Sequence, residues 1–145
     1  MSPKESGSAS EQPHAGPEKH GDLASLDVLR MAAMPARPGA EDELSFTIRL
    51  LRRAEAPVLI AELELTDEGY FVGVTVFGGL YVSSPPQGIR AWRQLLDRAA
   101  DRHRHVLYDF AASIARMQLS LINETTATVP TSTPEPVKEL QPVRR

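Results

Sequence analysis

The chain contains no cysteine. That absence excludes disulfides, a zinc ribbon and a thiol nucleophile, and it suits a reducing compartment. No apolar run approaches the ~20 residues a helix needs to cross a bilayer, and no basic stretch near the start leads into an apolar one. Membrane insertion is not expected, and a cytoplasmic location is. Positive charge is not in excess either. With a formal net charge of -3 and an isoelectric point near 5.8, there is no global basic field to hold a phosphate backbone, so nucleic acid is not an expected partner. Gly78-Gly79 after Phe77 lacks the surrounding glycine spacing and the Lys-Ser/Thr pair of a phosphate loop, and no cofactor is expected.

What remains is one small domain with polar extensions: 145 residues, 41% hydrophobic, with 12 prolines that cluster outside the apolar stretches. Residues 1–22 hold too little apolar surface to offset the entropy of ordering them, and read as a disordered tail. Residues 123–145, rich in proline and threonine, suit an extended or disordered strap better than a helix. Asn123-Glu124-Thr125 matches a glycosylation sequon, a pattern short enough to arise by chance. The folded part is expected over 23–122.

Within it, "LSFTIRL" sets Leu44, Phe46, Ile48 and Leu50 on one face and Ser45, Thr47 and Arg49 on the other, the period of a half-buried strand. "VLIAELEL" repeats the alternation with Leu59, Ala61, Leu63 and Leu65 against Glu62 and Glu64, and Pro57 marks its entry. "TDEG" supplies Asp67 and Gly69 for a tight turn into "YFVGVTVFGGLYVS". That run is apolar on both sides, Tyr70, Val72, Val74 and Val76 on one and Phe71 and Phe77 on the other, so both faces are expected to be covered. Gly78-Gly79 suggests a bulge or bend. Upstream, "SLDVLRMAAM" fits a first strand or a short helix, closed by Pro35 and Pro38.

A helical pattern starts near Ile89, after Pro85, Pro86 and Gly88. Trp92, Leu96, Ala99, His103, Val106, Phe110, Ile114, Met117 and Leu121 follow by threes and fours. Unbroken, the helix would run about 45 Å at 1.5 Å per residue, longer than so small a domain is wide. It must bend near "DRHRH" or pack its far end on another subunit. An α+β fold is therefore expected, an antiparallel sheet of three to four strands followed by one long amphipathic helix, with more apolar surface than it covers alone. Oligomerisation follows, with Trp92, Leu96, Val106, Phe110 and Ile114 as interface residues.

Catalytic residues are harder to find. Asp101 and His105, grouped in sequence with His103 and Asp109, stand at i, i+4, but His103 is off that face, two ligands are too few and no third is marked; a solvated helix turn accounts for them. The arginines of the helix alternate with Asp97, Asp101 and Asp109, as on a charged outer face. Glu62 and Glu64 share one side of a strand, as paired carboxylates would, yet an exposed acidic sheet face explains them. No nucleophile stands beside a base at motif spacing, so no enzymatic activity and no metal site are expected.

The order of elements resembles the SecB-type protein-export chaperones, in which a strand ending Gly-Gly-aromatic-aliphatic leads through a short segment to a helix opening aliphatic-aromatic-Pro-aromatic-Ala. Gly78, Gly79, Leu80 and Tyr81 correspond to the first pattern; Leu107, Tyr108, Phe110 and Ala111 to the second, with Asp109 where the proline would stand. The likeness spans roughly 44–121, and a Pro/Thr strap takes the place of the family's second helix. It implies a homotetramer, a dimer of dimers, whose aromatic grooves hold unfolded polypeptides without nucleotide. The groove candidates are Phe71, Phe77 and Tyr81, with Phe46 and Met117. The acidic set Glu62, Glu64, Asp67 and Glu68 would correspond to the surface that docks an export motor. Two functions are consistent with this reading: an ATP-independent holdase, in export or for a dedicated partner, and a non-catalytic oligomeric adaptor whose apolar stripe serves self-assembly.

Overall fold

Alternation in two adjacent stretches builds the centre of the sheet. In the computed structural model, which describes residues 20–53, 56–122 and 126–141, they form β2 (Glu43–Leu51) and β3 (Val58–Asp67), paired antiparallel from Glu43↔Thr66 to Leu51↔Val58. The sequon at Asn123 and residues 1–19 of the first tail lie outside the described residues. A two-residue turn, Glu68-Gly69, joins β3 to β4 (Tyr70–Gly79), and both turn residues have positive φ, 50° and 83°. That backbone matches the twist of a hairpin.

The upstream segment that fits either a strand or a helix is a strand, β1 (Asp27–Pro35), paired antiparallel with β4. The order β1-β4-β3-β2-β5 places two strands between β1 and β2, so the 36–42 connection crosses the ends of β4 and β3. The irregularity expected at Gly78-Gly79 lies instead in β1, between Val28 and Arg30. Gly78 keeps register with Leu59, and its missing side chain has another cause: a methyl there would run into the carbonyl oxygen of Ser25, on the segment that crosses it.

The sheet has five strands, one more than the alternation reveals. β5 (Val137–Leu140), from the Pro/Thr strap, lies parallel to β2, pairing Thr47↔Val137 through Leu50↔Leu140, so the sheet is mixed. The strap is extended, as its composition requires, and Val129 and Pro136 are buried in it.

α1 (Gly88–Ser120) is unbroken for 33 residues, about 50 Å at 1.5 Å per residue. It lies on one sheet face, where Phe46, Ile48, Leu50, Leu59, Leu63 and Val74 are nearly inaccessible. Phe46 meets Tyr108 of α1 edge to face, ring centroids 5.3 Å apart. The far end of the helix neither bends nor stands bare on that side, because the strap folds along it. The Tyr108 hydroxyl donates to the carbonyl of Pro130 at 2.6 Å, Arg104 pairs with Glu135 at 2.7 Å, and His105 Nδ1 meets Thr133 Oγ1 at 2.8 Å. Burial pushes the Tyr108 hydroxyl up from its ordinary pKa, Asp109 adds to that, and Arg116 opposes it.

The apolar stripe of the helix divides in two. At 100° per residue, Trp92, Leu96, Ala99 and His103 share one line with Val106, Phe110, Met117 and Leu121. The first four are buried; of the others Phe110 is half-buried, and Val106, Met117 and Leu121 are about half exposed or more. In the second half the buried face turns to Leu107, Tyr108, Ala111, Ala115 and Leu119, which face the sheet and the strap. The stripe runs straight while its cover does not.

Candidate functional site

Among the described residues, no helix lies on the second face of the sheet. Register stacks its side chains in rows: Arg49, Ile60 and Phe77; Thr47, Glu62, Thr75 and Arg30; Ser45, Glu64, Gly73 and Ala32; Thr66, Phe71 and Met34. Phe71, Phe77 and Ile60 are half-buried by their neighbours alone. This corrects the expectation that β4 is covered on both sides: on this face its middle is small, the Phe71 ring lies over Gly73, Thr75 is buried by its neighbours, and no helix of the described residues packs across them.

Charges cross the floor as one network. Glu62 accepts from Arg49 Nη1 at 3.0 Å and stands 3.6 Å from Arg30 Nη2, while Arg49 Nε donates to Glu139 of β5 at 2.8 Å. Burial alone would lower the Arg49 pKa; the bonds to Glu62 and Glu139 outweigh it and the net displacement is upward, so the guanidinium stays charged.

Three shallow hollows follow one another along this face. One of about 820 Å³ is walled by Leu29, Arg30, Arg49, Arg53 and Ile60. It shares Arg30, Glu62 and Thr75 with a middle hollow of about 260 Å³, which shares Phe71 with a third of about 750 Å³ under the 36–42 connection. Together they make a channel alongside β1 and β4.

The expected groove residues do not gather in one place. Phe71 and Phe77 lie on the uncovered face, as a docking surface requires. Phe46 does not: it is 3% exposed, in the core against Tyr108, because its strand turns it to the helix side. Met117 is exposed on the outer stripe of α1, and Tyr81 lies half-buried past the end of β4, its backbone paired with Gly21 and Asp22. Of the five helix residues assigned to a subunit interface, Trp92, Leu96 and Ile114 are buried within the chain itself, which leaves Val106 and Phe110 to offer surface.

The four acids are also divided. Glu62 is engaged by two arginines, Glu64 is exposed on the open face, and Asp67 and Glu68 sit at the β3–β4 turn. Asp67 Oδ2 accepts from the backbone of Thr128 and Asp42 Oδ1 from that of Glu68. These three carboxylates come within 4.8 Å of one another and would suit a cation, but two of them already tie down backbone. His103 and His105 point to separate partners, the carbonyl of Gly21 at 2.7 Å and Thr133.

Sequence reasoning missed Leu29, Arg30 and Met34 of the channel. They belong to β1, whose pattern does not alternate cleanly because of its bulge.

The chain is similar to one solved structure in particular, the Mycobacterium tuberculosis Rv1957 SecB-like chaperone in complex with a ChAD peptide from the Rv1956 HigA1 antitoxin. The match covers 76% of this chain and 86% of that one at a TM-score of 0.56. The fold is SecB-like. Identity over the match is 14%, so the likeness lies in architecture rather than in side chains. No protein-family model matches the chain, and no curated protein does. No helix among the described residues is long and apolar enough to cross a membrane.

Proposed function

We propose that the chain is an ATP-independent holdase that receives extended, apolar segments of a non-native polypeptide on the uncovered sheet face. The observation that carries this reading is the channel itself: Phe71, Ile60, Leu29 and Met34 border a row of adjoining hollows on a sheet face that no helix of the described residues covers. Apolar surface held open in this way attracts unfolded segments without directional demands, and release needs no nucleotide. The SecB-like fold supports a chaperone role, and the similar chaperone was solved with an antitoxin peptide, which favours a dedicated client over general export.

Copies of the chain assemble through the outer stripe of α1. Val106, Met117 and Leu121 carry exposures of 49%, 51% and 74% along one line, a seam that a second helix would cover. The protein therefore works as a cytoplasmic homo-oligomer with its sheet faces outward.

The test is suppression of aggregation of a chemically denatured model protein, followed by light scattering at stoichiometric ratio without nucleotide. Protection is expected, and Phe71→Ser with Phe77→Ser should remove most of it while the mass in solution stays unchanged. No protection, together with no binding of an apolar dye to the intact oligomer, would assign the chain to the adaptor class instead.

A further inference from the structure

The channel is polarised in charge along its length. At one end Arg30, Arg49 and Arg53 line the wall; Glu62 is shared between Arg30 and Arg49, and Glu139 of β5 also holds Arg49, so three bases face two acids there. At the other end Glu41 and Glu43 line it, with Arg37 the base among them, and Glu64 borders the middle. Each end has its own apolar floor: Leu29, Leu51 and Ile60 beside the arginines, Met34, Pro35 and Phe71 beside the glutamates. From Arg49 to Glu43 the strand covers about 20 Å, the reach of six extended residues.

We propose that this face selects extended client segments carrying an acidic group at one end and a basic group about six residues away, each next to an apolar side chain, and that the charges fix which way round the segment lies. The proposal rests on the holdase reading and adds to it a rule for the client. Apolar contact supplies non-directional attraction, whereas complementary charge at both rims decides orientation and rejects segments with like charge at both ends. A segment of opposite polarity enters turned end for end. An all-acidic or all-basic segment meets repulsion at one rim.

Ten-residue fluorescent peptides of one composition, with the charges either separated to the two ends or interleaved, decide the matter by anisotropy on the full chain. The separated peptide should bind about fivefold more tightly, as two to three exposed charge contacts allow, and the gap should close in about 0.5 M salt. Arg30→Glu with Arg53→Glu should move the preference to peptides basic at both ends. Equal binding of all peptides, or a preference indifferent to salt, overturns the rule and leaves the holdase reading standing. No binding of any peptide together with no suppression of aggregation overturns both. A change in mass in solution on charge reversal, with peptide affinity unmoved, assigns the face to contact between copies and also overturns the rule.

Discussion

Tyr108 stands between two parts of the chain that are distant in sequence: its ring packs edge to face on Phe46 at 81°, and its hydroxyl holds the carbonyl of Pro130. One side chain thus ties the sheet, the long helix and the strap together.

Tyr108→Phe keeps the ring and removes the strap's bond, at a cost of about 1 kcal/mol. It should also change the alkaline limb of stability. Burial raises the Tyr108 pKa in the folded state. Above the ordinary tyrosine value of about 10 the unfolded chain loses a proton that the folded chain keeps, so stability falls with rising pH. Denaturant titrations at intervals above pH 10 should show a shallower fall in the Phe variant; equal slopes would mean that Tyr108 takes no part.

Phe46→Ala and Phe77→Ala separate core from surface. The first empties a site that is 3% exposed and should cost about 3–5 kcal/mol. The second truncates a half-buried ring on the open face and should cost about 1 kcal/mol or less while weakening client capture. Thermal melts with peptide anisotropy check both, and the reverse ranking of stability would place the helix on the wrong face.

Glu68 occupies a left-handed conformation, φ 50°, beside Gly69 in the β3–β4 turn. A non-glycine residue there costs about 1–2 kcal/mol, least for asparagine. Glu68→Asn should therefore raise the midpoint of unfolding, by about 0.5–1 kcal/mol in stability, with its backbone bond to Asp42 intact. Differential scanning calorimetry gives the sign; destabilisation would show that the carboxylate has a structural duty in the turn.

Gly78→Ala should loosen the segment that crosses it. The added methyl meets the Ser25 carbonyl, which cannot yield without dragging the Leu23↔Leu80 bridge and the Gly21 contact to His103. A loss of about 1–3 kcal/mol is expected. Limited proteolysis near residues 20–26 should accelerate, and unchanged cleavage would mean that the crossing adapts freely.

Much of this was legible in the residues. β2 and β3 have alternation strong enough to define both strands and the face each residue takes, and the stripe of α1 was visible as a line. The fate of that line was not, because burial depends on what lies opposite: Val106 and Met117 continue the row of Leu96 and His103, yet the sheet does not follow them. β5 escaped notice because four residues after a proline have no period to read, and its partner strand lies far away in sequence. In the site, Phe71 and Phe77 entered as groove candidates through the resemblance and not through a face of β4, whose two sides both read as apolar; the structure turns them away from α1. The arginines that polarise the channel went unread, since Arg30 sits beside a bulge and Arg49 alternates like any solvent-facing residue.

The strap's pairing with β2 also sets an order of events during folding. Arg49 and Glu139 are 90 positions apart, whereas β2, β3 and β4 join their neighbours through short turns. Local hairpins close early and distant contacts late, so β2, β3 and β4 pair before β5 docks on β2. Until β5 docks, the chain has a bare β2 edge and an uncovered flank of the helix, and is for that interval prone to aggregate.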